Sequence, residues 1–595
     1  MSKASSHRVL IVTGGMLSAK EPSLARALGK QIASFRASSG AWLDIQFKII
    51  AAEGLLAAQR HRRSRAFESA PYRAAVDRFF AGSNEDDTPE LTEVSLATLL
   101  RTEGLEFDVA TYSELYADAD LRERLLSRCD VVFASTTLIR DLSELVPMAE
   151  LLKRPHNRVI AGGALTSILH HSWQDVPGID VLAVGYGEML VPSLAKWIRS
   201  DFTTLEPPPS GRVVSAGATK ILYSGVPTTN NLDFLPTPDW ALAARYRNRR
   251  FRLAHYESVR GCPYRCSFCN YPFLFDDTKF RYRSAQRIAD DWAQLAAAGV
   301  EYVSCLDSLF TMPKRRLVEL CNLLIERDIR LKWICYARAD DLDDLETCAL
   351  MKRAGCHQVQ IGFESGSQSQ LDNMNKRTTV EANKIALRNC REVGITTLAT
   401  VIVGFPGETR ATLQETFEAL RESPPDIYYL APFNTRVEYV PILSAESRTR
   451  FGIVTSTDGR SSAPYWKHDT MSCTEVGSLI RELHRRMAEE RVALEGTAFY
   501  SGTLEFDARD RDALLDFQLQ FARSHAVLHW TFDRLCSWAE GKLREDVQRA
   551  LRDQADSRLR PAPPVRGAPR RDSGTARRKL PVTREAESLS LEEAK

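Results

Sequence analysis

Short apolar runs, each closed by small residues, set the pattern of the first two hundred positions. Residues 8–12 (RVLIV) run into Thr13-Gly14-Gly15, and residues 130–134 (DVVFA) into Ser135-Thr136-Thr137. Residues 158–161 (RVIA) lead to Gly162-Gly163-Ala164, and 181–184 (VLAV) to Gly185-Tyr186-Gly187-Glu188. Such runs, with helix-like periodicity between them, predict the strands of an open parallel sheet. Ligands of these sheets sit beyond the carboxyl ends of the strands, where glycine lets a backbone come close. Any one of these pairs equally suits a plain tight turn. Four together point to a large planar or nucleotide-like ligand.

The periodicity fails between residues 201 and 250. Pro207-Pro208-Pro209 and LDFLPTPDW (232–240) are turn-rich and predict a linker. A second αβ alternation then runs to about residue 424. VEYVSCLD, KWICYA, QVQIGFE and TLATVIVGF read as strands, while 285–298 and 313–327 read as amphipathic helices. Beyond residue 426 the pattern is mixed, with helical spacing over 474–495. From about residue 556, Arg, Pro, Ser and Glu dominate and apolar anchors are few, which predicts a disordered tail. The expected division is therefore 1–200, a sheet domain; 201–250, a linker; 251–440, a second αβ domain; 441–555, a mainly helical substrate or capping region; and 556–595, the tail. The fold class is α/β.

Composition narrows the function. A chain of 595 residues calls for three to four units at about 150 residues each. Lys and Arg number 79 against 77 Asp and Glu, so no global field recruits nucleic acid or an anionic membrane. No run of about 18 apolar residues occurs, and the start MSKASSHRVL has no signal-peptide core. The expectation is a cytoplasmic monomer with neither membrane nor nucleic-acid partners. Twelve cysteines without a secretory address read as reduced thiols with one metal cluster, not as a disulfide framework.

That cluster has a clear candidate. Cys262-Pro-Tyr-Arg-Cys266-Ser-Phe-Cys269 places three thiolates within eight residues, just after the strand-like stretch 256–259. Three thiolates can hold three irons of a cubane and leave the fourth iron open to chelate an amine and a carboxylate. Half of a zinc knuckle is the plainer alternative, but no second cysteine pair follows at a suitable distance.

The C-x3-C-x2-C spacing resembles the radical S-adenosylmethionine (SAM) superfamily, whose fold is a partial (βα)6 barrel. RYRS (281–284), LDSLF (306–310), Arg338, GFESG (362–366) and GFPGET (404–409) resemble its later landmarks in order and spacing. The resemblance implies a [4Fe–4S] cluster on Cys262, Cys266 and Cys269, with Phe268 near the adenine of SAM. It implies Glu364, with Ser365 beside it, at the ribose hydroxyls, and Arg338 at the cofactor carboxylate. Gly404 and Gly407 would pass close to the adenosyl group, and Asp307 would stand near the methionine amine.

Upstream, GGA…VGYGE ahead of an LPTPDW-like stretch resembles the cobalamin-binding branch, with a Rossmann-like first domain. The corrin would lie against Thr13, Gly14, Ser135, Thr136, Gly162, Gly163, Ala164, Gly185, Gly187 and Glu188. The Asp-x-His-x-x-Gly motif that offers cobalt a histidine is absent from the sequence. His170 and His171 read as surface or supporting residues, and the basic run 60–65 (RHRRSR) as a solvated helix face.

As a whole the chain is most similar to cobalamin-dependent radical SAM methyltransferases, nearest to the tryptophan 2-C-methyltransferases of thiostrepton-type thiopeptide biosynthesis. This resemblance implies methyl transfer from SAM via methylcobalamin to carbon, a small-molecule acceptor such as tryptophan, and an external electron donor. Radical methylation of an unactivated carbon, methylation of phosphorus, and cobalamin radical chemistry without methyl transfer stay open. Methylthiotransferases carry a further cysteine trio upstream, where this chain has only Cys129. Residues 428–433 and YWKHD (465–469) suit either a substrate pocket or the core.

Overall fold

The computed structural model describes residues 7–15, 88–139, 142–173, 175–435, 440–456, 465–496, 511–524 and 534. The basic run 60–65 and the expected tail 556–595 lie outside the described residues.

The four apolar runs of the first region form strands β1 (Arg8–Thr13), β3 (Val131–Ser135), β4 (Arg158–Gly162) and β5 (Val181–Val184). With β2 (Glu106–Thr111), β6 (Arg212–Ala216) and β7 (Thr219–Tyr223) they build one sheet in the order β2-β1-β3-β4-β5-β7-β6. All neighbours are parallel except the β6/β7 hairpin. The order reverses between β1 and β3, the place where open α/β sheets bind ligands. Alternate residues feed opposite faces: Leu10, Val12 and Val132 enter one core, and Val9, Ile11 and Val131 the other.

One boundary shifts. The stretch 201–250, expected as a linker, supplies β6, β7 and the helix Trp240–Tyr246. The sequence hid the hairpin because β6 is a mostly exposed edge strand, without the apolar density that marks its neighbours.

The second region forms the expected six-stranded parallel sheet. Its strands are β8 (Leu253–Tyr256), β11 (Tyr302–Cys305), β12 (Lys332–Ala337), β13 (Cys356–Glu364), β14 (Thr396–Val403) and β15 (Ile427–Pro432). They adjoin in that order, and the short β18 (Leu494–Glu495) adds to the β15 edge. The outer strand faces pack on helices, with Trp292, Phe310 and Trp333 fully buried and their ring centroids 5.4–6.1 Å apart. Helices begin where caps are written: the Ser284 hydroxyl accepts from Arg287 N–H at the head of Ala285–Ala297.

The strand expected over 256–259 divides. β8 ends at Tyr256, and β9 (Val259–Arg260) pairs antiparallel with β10 (Arg281–Tyr282). Beyond the barrel, a ribbon of β16 (Val454–Ser456) and β17 (Tyr465–Lys467) precedes the helix Cys473–Glu489. That helix stops six residues short of the expected end, because the chain turns there into β18.

Candidate functional site

Cys262, Cys266 and Cys269 sit on the loop between β9 and β10, and the fold grips that loop from several sides. Gly261 enters it at φ +74, with Lys279 O where a Cβ would stand, so only glycine fits. Ser308 Oγ donates to Gly261 O (2.8 Å), and Arg265 donates to Cys262 O (2.6 Å) and Thr278 O (3.0 Å). Ser267 N–H donates to Met374 O (2.8 Å), while Ser267 O accepts from Ile442 N–H (2.9 Å). Asp307, fully buried, accepts from Ser258 N–H, Val259 N–H and the Ser258 hydroxyl at 2.6, 2.6 and 2.8 Å. Burial lifts its carboxyl to about 6. Both oxygens of Asp307 thus bind the turn into the cysteine loop.

The thiols suit an iron–sulfur cluster. Cys266 is buried and the other two are half-buried. Burial raises the Cys262 thiol and pushes Cys269 up to about 12; the backbone N–H groups of Tyr264 and Tyr271 oppose this at the respective sulfurs. Lys376 opposes it at both, and Arg338 at Cys262. Neighbouring thiols with N–H donors and buried cations beside them match the chemistry of cluster thiolates.

Arg338 departs from expectation. Its Nε and Nη2 donate to Asp340 (3.1 and 2.8 Å), and Nη2 also to Lys376 O (2.5 Å). The guanidinium lies over the Tyr264 ring at 3.8 Å, and Nη1 reaches Cys266 Sγ at 4.0 Å. The carboxylate it meets in the fold is the chain's own Asp340, where a cofactor carboxylate was expected.

Phe268, Glu364 and Gly404 do gather at the carboxyl end of the barrel. Glu364 closes β13 with φ +57, and its carboxylate takes Lys376 Nζ at 2.8 Å. Lys376 Nζ lies 5.9 Å from the Phe268 ring, which meets Phe405 edge-on at 6.3 Å. Ser365 is turned inward instead, its hydroxyl 3.1 Å from Thr416 Oγ1 and accepting from Ser367 N–H. Gly404 has φ +88, and a Cβ there would strike Val476. Within YWKHD, Trp466 and His468 are core while Lys467 and Asp469 are exposed: the Trp466 indole donates to Phe433 O (3.1 Å), and His468 Nε2 stands 3.2 Å from Gly404 O.

Glu408, inside the quoted GFPGET motif but not singled out, is the main residue the sequence reading missed. It is fully buried, accepts from Gly404 N–H, and leaves Oε1 without a partner; burial pushes it up to about 8.

The first sheet presents its own rim. Thr13 Oγ1 donates to buried Glu93 (3.1 Å), which Arg247 and Tyr246 also hold, so that hydroxyl is spent. Gly14 N–H donates to Glu90 Oε1 (2.5 Å), while Glu90 Oε2 is buried without a partner and burial lifts the group to about 7. Ser135 Oγ contacts Thr137 Oγ1 (3.3 Å), and Thr136 Oγ1 donates to Gly162 O (3.1 Å). Gly163 and Gly185 take positive φ, Ala164 opens a short helix, and a Cβ on Gly187 would meet open space. Open space at Gly187 and the orphaned Glu90 oxygen suit a broad ligand with polar edges, such as a corrin. His170 is buried, 3.0 Å from the Tyr223 hydroxyl, and burial lowers it to about 4.

Glu188 is committed elsewhere. It takes Arg260 at 2.7 and 3.0 Å, and Arg260 also bonds Glu257 (2.9 Å). Tyr186 donates to Asp277 (2.9 Å), and Arg260 lies 5.0 Å from the Tyr186 ring and 4.9 Å from Phe275. The VGYGE turn therefore docks on the segment that bears the cysteines.

Residues 256–420 match the model of the Radical SAM superfamily. The anaerobic magnesium-protoporphyrin IX monomethyl ester cyclase of Cereibacter sphaeroides is 29% identical over 306 residues, 50% of this chain and 48% of that protein. An uncharacterised methyltransferase of Pyrococcus horikoshii is 24% identical over 344 residues, 56% of this chain and 72% of that one. The chain thus spans about half the length of the cyclases it matches. Among solved structures, the radical SAM methyltransferase TsrM of Kitasatospora setae, with cobalamin and a [4Fe–4S] cluster bound, superposes with a TM-score of 0.57. Identity is 17%, covering 74% of this chain and 97% of TsrM. A second TsrM structure, with tryptophan and a SAM analogue bound, gives 0.56 at 17% identity, covering 77% of this chain and 96% of TsrM. At that identity the likeness is one of fold. Residues 256–420 belong to the radical SAM superfamily, joined to a Rossmann-like sheet domain in the overall fold of TsrM.

Proposed function

We propose that the chain is a cobalamin-dependent radical SAM methyltransferase of natural-product biosynthesis, with tryptophan, methylated at carbon 2 of its indole, as the favoured acceptor. The observation that carries this reading is the docking of the VGYGE turn through Glu188–Arg260 and Tyr186–Asp277. It sets the ligand rim of the first sheet beside the cysteine loop, as handing a methyl group between two cofactors requires. The likeness in fold to TsrM supports the choice of tryptophan.

In this reading Cys262, Cys266 and Cys269 hold the cluster, and Phe268, Glu364 and Gly404 border SAM. Gly14, Ser135, Gly163, Gly187 and Glu90 border the corrin. When bound, the cluster supplies one-electron chemistry and the corrinoid carries the methyl group, with an external donor providing electrons. The chain's own part is placement. Lys376 orients the Glu364 carboxylate, Asp307 fixes the entry of the cysteine loop, and Glu408 keeps its proton at neutral pH behind Gly404.

The test is anaerobic incubation of the reconstituted chain with methyl-labelled SAM, cobalamin, a low-potential reductant and tryptophan, followed by mass spectrometry. One labelled methyl group on tryptophan is expected. Label on a different acceptor removes tryptophan and keeps the class. A product without label would favour chemistry of the cyclase kind, the reading suggested by the similarity to the Cereibacter protein.

A further inference from the structure

We propose that Arg338 acts on the iron–sulfur cluster rather than on SAM: it is a positioning residue whose buried charge raises the reduction potential of the cluster. This rests on the cluster assignment just made.

A guanidinium offers five N–H donors in a rigid fork. Here Asp340 takes donors from Nε and Nη2, the carbonyls of Lys376 and Arg377 take Nη2, and the Tyr264 ring covers one face at 3.8 Å. Thr378 in turn bonds the other oxygen of Asp340. These contacts leave Nη1 aimed at Cys266 Sγ, 4.0 Å away, with the side chain only 6% exposed. A carboxylate arriving with SAM would have to displace Asp340 or turn the fork against its stack on Tyr264. The sulfur of Cys266 already lies in its line.

The consequence is electrostatic. Reduction adds one electron to the cluster. A fixed cation and an N–H aimed at a cluster thiolate favour the more negative state, and such contacts set cluster potentials. Burial keeps solvent from screening the charge. Asp340 opposes it from the far side of the guanidinium, so the two residues should shift the potential in opposite directions.

The experiment is an EPR-monitored redox titration of the reconstituted full chain with titanium(III) citrate as reductant, alongside SAM binding by isothermal titration. For Arg338→Gln, the ratio of reduced to oxidised cluster at the wild-type midpoint should fall about tenfold, a shift of roughly 59 mV to more negative potential. Arg338→Lys should recover more than half of that shift, and SAM affinity should change less than about twofold in both. Asp340→Asn, which leaves Arg338 in place, should shift the midpoint to more positive potential. It supplies the answer if Arg338→Gln fails to hold its cluster. An unchanged midpoint in cluster-replete Arg338→Gln, or in Asp340→Asn, overturns the proposal. So does a tenfold loss of SAM affinity with the midpoint intact, which would return Arg338 to the cofactor carboxylate. If wild-type protein takes up no iron and sulfide, it is the function proposed above that fails.

Discussion

Glu408 shows how much one buried carboxyl can report. Its ordinary value near 4.5 rises to about 8 in the fold because burial disfavours the anion. Between those values the folded chain holds a proton that the unfolded chain has lost. The contribution of Glu408 to stability therefore falls as pH rises from about 4.5 to about 8. Glu408→Gln keeps the shape and removes the titration. The stability of the variant relative to wild type should climb across that window by up to roughly 1.4 kcal/mol per pH unit. Urea unfolding at pH 5 and pH 8 reads this directly, and parallel pH courses for the two proteins would count against it. At this scale the sequence was legible wherever a motif is local. Cys262, Cys266 and Cys269 share one loop, and Phe268 and Glu364, named from local motifs, both lie beside Lys376. It was illegible wherever a partner is distant: Ser258 is 49 positions from the Asp307 it binds, and Glu188 is 72 from Arg260. Spacing along a chain cannot show a carboxylate already spent in three dimensions.

Among the elements, the ribbon β16–β17 and the helix Cys473–Glu489 do the least expected work. Trp466 and Val476 close over Gly404, and His468 reaches its carbonyl. The C-terminal region is therefore the wall against which the GFPGET loop is shaped. Gly404→Ala would force both a strained φ and a clash with Val476, costing about 2 kcal/mol or more. Chemical denaturation should show that loss together with weakened SAM binding; wild-type stability would mean that the wall yields freely. The central strands of both sheets were readable because buried parallel strands are dense in Val, Ile and Leu, whereas β2, β7 and β15 were not read as strands. Edge strand β6 was not readable either, since none of its residues is buried and it carries no such run.

Taken whole, the molecule joins its sheet domain to its barrel through apolar packing, with Val94 inside the barrel's core cluster, and through charged contacts of low exposure. Arg260 is 9% exposed and Glu188 14%. Removing one partner leaves the other charge buried, which typically costs about 3 kcal/mol, whereas replacing both with apolar groups costs far less. Arg260→Leu alone should lower the melting temperature more than the double variant Arg260→Leu/Glu188→Leu. Calorimetry decides, and equal losses would show that the pair does not couple the domains.

The hydrogen bond from Ile442 to Ser267 reaches beyond stability. It ties the middle of the cysteine loop to a turn that follows the last strand of the six-stranded barrel. Residues 440–443 therefore belong with the barrel as a structural unit, and a chimera joined at the end of β15 would rest its cysteine loop on a foreign turn.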